Sequence, residues 1–149
     1  MNRSEKIMNY DLDRFIQAQE HSYETALTEI KNGLKRTHWM WYIFPQLKEL
    51  GRSSTAKYYG IDDLEEAKKF LAHPVLGARL KEISGALLQL ETNDPYSVMG
   101  YIDGLKLCSS MTLFAEAGGY DSVFGKVIDK YYAGHKDMNT LMVLHNHSV

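Results

Sequence analysis

Apolar residues recur at intervals of three and four along most of this 149-residue chain. That spacing places side chains on one face of an α-helix. Leu, Ala and Met number 17, 10 and 7, whereas the β-branched Val and Ile number 6 and 8. Strands usually collect β-branched residues, so their scarcity disfavours a sheet. Both observations predict an all-α fold, formed by a single compact multihelical domain of about seven to nine helices.

The limits of the domain follow from where the periodic pattern begins and ends. We expect an N-terminal tail at residues 1–10, one helical domain at 11–144 and a C-terminal tail at 145–149. No linker, repeat or low-complexity tract divides the central range. The sequence therefore predicts one domain.

Local signals predict where individual helices begin. The pair His21-Ser22 interrupts the first periodic stretch, so two helices are expected there, with Ser22 capping the second. Asp62 and Glu65 have the spacing of a capping box and predict another helix start.

Composition limits the class of function. Hydrophobic residues at 44% and charged residues at 24% are ordinary values for a globular protein. The net charge of −2 gives no broad positive field, so we expect no sequence-specific nucleic-acid partner and no membrane partner. The longest apolar run has six residues, far fewer than the ~20 of a membrane helix, and no secretory signal is evident. We expect a cytoplasmic protein.

The sequence offers little for metal or redox chemistry. Cys108 is the single cysteine, which excludes an intrachain disulfide and a cysteine-rich zinc site. No glycine-rich phosphate loop and no metal-binding histidine motif occurs. We expect no cofactor and no metal.

One segment, residues 33–54, concentrates aromatic and basic side chains. Two tryptophans, a tyrosine, a phenylalanine and a histidine lie within residues 38–44, after Lys35 and Arg36. We expect a helix over Thr37–Phe44, ended by the proline that follows it. Aromatic faces stack rings and basic side chains bind phosphates, so the segment predicts a site for an anionic ligand with a flat ring. The alternative is that the aromatics form the core and the charges are solvated.

A second segment, residues 103–114, combines polar and apolar positions on one predicted helix. Lys106, Ser109 or Ser110, and Leu113 lie about one turn apart, so one polar stripe runs along an otherwise apolar helix. In the functional interpretation, Asp103, Lys106 and Ser109 line the same cavity as the aromatic segment. Alternatively, the serines bond to carbonyls of their own helix.

The string KRTHWMWYIFPQ, Lys35–Gln46, resembles the signature of the DUF1810 family, also called the Rv1873-like family. The resemblance continues through HPVLGARL at 73–80 and DGLKLCSSMTLF at 103–114, and it covers almost the whole predicted domain. It implies a multihelical all-α fold and brings no established activity. Leu34 and Cys108 stand where the family often has arginine, which implies a less cationic site here.

Residues 109–134 are also similar to the C-terminal pattern of the NADAR/YbiA-like group. Those helical proteins cleave N-glycosidic bonds in nucleotide-derived or ADP-ribose-linked substrates. This resemblance implies an N-glycosidase in which a carboxylate stabilises positive charge or activates water. Asp103 is then the candidate catalytic residue, with Lys35 and Arg52 as phosphate contacts.

Taken together, the residues favour one function and leave two alternatives open. We expect the protein to bind a small anionic, ring-containing metabolite, nucleotide- or ADP-ribose-like, in an aromatic and basic pocket. The alternatives are a non-catalytic protein–protein interaction module, whose partner the sequence does not name, and the N-glycosidase. The predicted ligand-binding residues are Lys35, His38, Trp39, Gln46, Arg52, Ser53, Lys106 and Ser109.

Overall fold

The computed structural model describes residues 10–146 of the chain. Within this range the chain forms ten α-helices and one 3-10 turn, and its only β-type pairing is an isolated bridge. The predicted all-α class is therefore confirmed. The helices are α1 (Asp13–Glu20), α2 (Tyr23–Lys31), α3 (Met40–Ile43), α4 (Ser54–Tyr58), α5 (Leu64–Ala72), α6 (Leu76–Leu88), α7 (Pro95–Met99), α8 (Tyr101–Gly118), α9 (Val123–Tyr132) and α10 (Met138–Asn146), with the 3-10 turn at Lys48–Leu50.

The first five helices show the outcome of two local predictions, the break at His21-Ser22 and the cap of α5. The break at His21-Ser22 is confirmed, because α1 ends just before it and α2 begins just after it. Ser22 occupies the N-cap position of α2, but its side chain makes no capping bond; its hydroxyl oxygen accepts a hydrogen bond from the Tyr42 hydroxyl at 2.8 Å instead. The predicted cap of α5 was wrong by one residue. Asp63 adopts the extended cap conformation, and its carboxylate accepts a hydrogen bond from the Glu66 amide at 2.9 Å.

The aromatic segment is less helical than its sequence predicts. Only Met40–Ile43 forms α3, whereas we expected a helix over Thr37–Phe44. The backbone amide of Thr37 and the side chain of Trp39 are instead bound to Glu29 of α2. This tertiary anchor holds the preceding residues outside the helix. The short α3 and α4 also bring the number of helices above the expected seven to nine.

Helix α8 lies at the centre of the fold and packs against α5, α7, α9 and α10. Its inward residues Leu107, Met111 and Phe114 are fully buried. The Phe114 ring contacts Phe70 of α5 at 5.2 Å and Phe124 of α9 at 5.9 Å between ring centroids. Each buried aromatic ring removes a large apolar area from water, so this row of rings fixes α8 in place.

A backbone bridge joins the two ends of the segment between α3 and α5. The Lys48 amide donates to the Ile61 carbonyl at 2.8 Å, and the Ile61 amide donates to the Gln46 carbonyl at 2.9 Å. Nearby, Arg14 of α1 donates to the Gly60 carbonyl at 2.8 Å and pairs with Glu66 at 3.1 Å. The segment 46–61 is therefore a closed loop that carries the 3-10 turn and α4.

The predicted tails are only partly described. Helix α10 continues through Asn146, so His145 and Asn146 belong to a helix. Residues 1–9 and 147–149, which make up the rest of both predicted tails, lie outside the described residues. Within residues 10–146, no helix combines the length and the apolar character needed to cross a bilayer.

Candidate functional site

A groove of about 980 Å³ opens between α8, α10 and the closed loop 46–61. Its volume lies near the upper end of the range of small-molecule sites, roughly 300–1,000 Å³. Apolar side chains from all three elements form much of its wall. These are Leu50, Ala56, Ile102, Leu105, Met142 and Val143.

Polar side chains line the rest of the groove, and five of them belong to the predicted site. Gln46, Arg52 and Ser53 come from the loop 46–61, and Lys106 and Ser109 come from α8. The prediction that the two segments line one cavity therefore agrees with the geometry for these five. The other polar residues in the wall are Glu49, Asp137, Asn139 and Asn146.

The two cationic side chains of the groove, Arg52 and Lys106, have no carboxylate partner. Neither belongs to any of the ion pairs found within residues 10–146. Arg52 is exposed, whereas Lys106 is half-buried. Two carboxylates, those of Glu49 and Asp137, line the same groove, so its charged side chains comprise two cations and two anions.

The negative charge of Asp137 is already engaged by hydrogen bonds. Its Oδ2 accepts from the Ser109 hydroxyl at 3.0 Å and from the Thr140 amide at 3.1 Å. The Thr140 hydroxyl adds a third bond to the same oxygen at 2.5 Å. Asp137 thus caps the first turn of α10 and attaches that helix to α8.

Ser53 has a structural role at the start of α4. Its hydroxyl oxygen accepts a hydrogen bond from the Ala56 amide at 3.0 Å, as an N-cap does. A serine hydroxyl that accepts one bond still carries a proton to donate. Ser53 can therefore hold α4 and contact a ligand in the groove at the same time.

The remaining predicted residues lie outside this groove. Lys35 Nζ pairs with Asp103 Oδ2 at 3.0 Å and donates to the Thr37 carbonyl at 2.6 Å. The same ammonium lies 4.9 Å from the centroid of the Trp39 ring, and Trp39 is 1% exposed. His38 is exposed at the surface and does not line the groove.

Most of the aromatic segment therefore serves the core. Its rings approach the groove only through a side pouch of about 10 Å³, lined by Trp41, Phe44 and Tyr59 together with Lys106. A pouch of that size holds about one water molecule and no ring. Among residues 10–146, no aromatic side chain lines the groove itself, so none offers a wall on which a base could stack.

Glu29, which is not among the residues predicted from the sequence, organises the segment before α3. Its Oε1 accepts from the amides of Arg36 and Thr37 at 2.8 and 3.0 Å and from Trp39 Nε1 at 2.9 Å. Its Oε2 accepts from the Thr37 hydroxyl at 2.7 Å. Burial alone would raise the pKa of Glu29, but these hydrogen bonds outweigh it and lower the pKa to about 2. The one sequence signal was its position three residues after the buried Ala26, on the inner face of α2.

Ser110 of α8 gives a stability prediction, because its buried hydroxyl has no hydrogen-bond partner. We expect Ser110→Ala to raise the free energy of unfolding by about 1 kcal/mol, since an unsatisfied buried hydroxyl is costly. Urea denaturation measures the change. The neighbouring Ser109→Ala is the matched control and should lower stability, because it breaks the bond to Asp137. A loss of stability in Ser110→Ala would contradict the prediction.

Fold and groove together define a class: an all-helical domain with an open, partly cationic groove beside its central helix. Residues 9–144 match the family model described as "Protein of unknown function (DUF1810)", and the chain belongs to this family. The crystal structure of the conserved hypothetical protein Rv1873 from Mycobacterium tuberculosis is similar, with a TM-score of 0.89 and 45% identity over 91% of this chain and 97% of that chain. No curated protein matches the chain. The resemblance found in the sequence is thereby confirmed.

Proposed function

We propose that this protein binds a small anionic metabolite, nucleotide- or ADP-ribose-like, with its anionic group at Lys106. The observation that carries the proposal is Lys106, a partly buried residue that lines the groove and forms no ion pair with a carboxylate within residues 10–146. A partly desolvated charge gains most from a counter-charge, because screening by water is reduced there. An anion in the groove would supply that counter-charge.

Other groups of the groove support the same class of ligand. Arg52 on the opposite wall can hold a phosphate or carboxylate through two parallel hydrogen bonds. Ser53 and the Gln46 amide add neutral donors beside it. Ile102 and Met142 offer aliphatic surface to the apolar part of the ligand. In this proposal a ring packs between aliphatic side chains instead of stacking on tryptophan.

The proposal is tested by calorimetric titration with inorganic phosphate, AMP, ADP and ADP-ribose. We expect Lys106→Gln to weaken the binding of the nucleotides about tenfold or more, because it removes the charge and keeps most of the side-chain volume. Lys126→Gln, an exposed lysine of α9 outside the groove, is the charge-matched control and should leave affinity unchanged.

A thermal-shift measurement gives a second readout of the same binding. A ligand present at about 100 times its dissociation constant should add about 2.7 kcal/mol to the free energy of unfolding. Equal affinity in Lys106→Gln and the parent protein would overturn the proposal. So would the absence of binding by every member of the panel.

One observation favours the interaction module as a second candidate. Large apolar side chains flank the groove, among them Ile102 at 61%, Met142 at 60% and Tyr101 at 67% exposure. Exposed apolar clusters of this kind often mark protein interfaces. The variant Tyr101→Ser separates the two candidates, because Tyr101 is exposed and does not line the groove: a protein partner would lose apolar contact, whereas nucleotide affinity would stay unchanged.

The N-glycosidase alternative has less support. Its candidate carboxylate, Asp103, is paired with Lys35 and does not line the groove. A carboxylate must reach the scissile bond to stabilise positive charge there. We therefore propose binding without assigning a reaction.

A further inference from the structure

A second hollow of about 470 Å³ adjoins the groove on the other side of α8. Its own lining comes from α7, α8, the end of α9 and the turn that follows α9. Tyr96, Cys108, Tyr132, His135 and Lys136 are the residues that it does not share with the groove.

The two hollows meet at a common boundary. Both are lined by Leu105, Lys106, Ser109, Asp137 and Asn139, where α8 crosses the start of α10. Hydrogen bonds hold this boundary in place, from the Ser109 hydroxyl to Asp137 at 3.0 Å and from the Asp137 amide to the Thr112 hydroxyl at 2.9 Å. The ammonium of Lys106 is the cation common to the two linings.

Further cations lie on either side of that boundary. Arg52 lines the groove, and Lys136 lines the second hollow; the Lys136 ammonium lies 3.9 Å from the centroid of the Tyr120 ring, which does not belong to that lining. Burial, aided by the charge of Asp137, raises the pKa of Cys108 to about 11, so its neutral thiol adds apolar surface. Each hollow thus combines apolar surface with its own cation, and Lys106 stands between them.

We infer that the groove and the second hollow form one bipartite site for a molecule with a diphosphate bridge in its middle, such as a dinucleotide or a nucleoside-diphosphate sugar. The bridge lies at Lys106, and each hollow takes one of the two groups that the bridge joins. This inference rests on the proposed function, since it uses the same lysine and the same groove. Two linked groups that engage adjoining subsites bind more tightly than either alone, because the second contact is intramolecular.

The test compares ADP-ribose with ADP, which has the bridge but lacks the second group. We expect the parent protein to bind ADP-ribose about tenfold more tightly than ADP. Cys108→Leu adds bulk to the second hollow, so it should remove this advantage and leave the affinity for ADP unchanged. Met142→Trp fills part of the groove and should weaken both ligands.

Retained ADP affinity shows that Cys108→Leu is folded, and an unchanged urea midpoint shows the same for Met142→Trp. His135→Trp, at an exposed position of the second hollow, replaces Cys108→Leu if that variant does not fold. Equal affinities of the parent protein for ADP and ADP-ribose would overturn the inference. An unchanged advantage of ADP-ribose in the filled variant would overturn it as well. In both cases ADP binding that depends on Lys106 would leave the proposed function standing, whereas the absence of binding by every ligand of the panel would overturn both.

Discussion

We expect Glu29→Ala to lower the free energy of unfolding by about 3 kcal/mol or more. The change leaves the amides of Arg36 and Thr37, the Thr37 hydroxyl and Trp39 Nε1 without their common acceptor. Trp39 is buried, so its indole N–H cannot turn to water without moving the ring out of the core. A buried donor left unpaired costs about 1–3 kcal/mol. Urea denaturation at pH 7 measures the loss.

The same carboxylate makes stability depend on pH in a defined direction. The pKa of Glu29 is lowered in the folded state from 4.5 to about 2, which corresponds to about 3 kcal/mol. This stabilisation is complete well above pH 4.5 and is lost as the pH falls towards 2. Over that range the carboxylate takes up its proton more readily in the unfolded state than in the folded state, so unfolding becomes more favourable. Glu29→Gln keeps the shape of the side chain but does not titrate, so it should lose less stability than the parent protein between pH 5 and pH 2. Parallel losses would contradict the assignment.

Gly77→Ala is expected to have the second large effect, a loss of about 3 kcal/mol in the free energy of unfolding. A Cβ atom at this position of α6 would lie 2.0 Å from the carbonyl oxygen of Leu71 and 2.9 Å from its carbonyl carbon. Both are backbone atoms, so the clash moves α5 or α6 and cannot be relieved by a side-chain rotation. We therefore expect the packing between α5 and α6 to be lost.

A second glycine in the same helix provides the control. A Cβ atom at Gly85 would meet nothing within 4 Å, and the residue lies in the interior of α6. Gly85→Ala should therefore raise the free energy of unfolding by about 0.5–1 kcal/mol, as alanine favours the helix. If both variants unfold at the same urea concentration, the close approach at Gly77 is not a constraint on the fold.

The periodic pattern predicted the long helices because their stability depends on one buried face. In α8, Leu107, Met111 and Phe114 follow that spacing, and all three are in the core. The pattern failed between Lys35 and Trp39, where a carboxylate from another helix holds the chain. Such a contact depends on which helices become neighbours, and spacing within one segment contains no information about that.

The candidate site was likewise predicted only in part from the sequence. The groove brings together five of the predicted residues, Gln46, Arg52, Ser53, Lys106 and Ser109. Lys35, His38 and Trp39, which were predicted with them, lie outside it. The third wall of the groove is formed by α10. It was not predicted, because the sequence of α10 has only the pattern of an ordinary short helix. Its contribution to the groove arises only when Asp137 binds Ser109 of α8.

The bridge between residues 46–48 and Ile61 has a mechanical consequence for the groove. Both ends of the loop are fastened at one place, so they cannot move apart without breaking the bridge. Arg52 and Ser53 lie on this loop, whereas Lys106 and Ser109 belong to the central helix. The two cations of the groove are therefore held by separate elements, each fixed by contacts of its own.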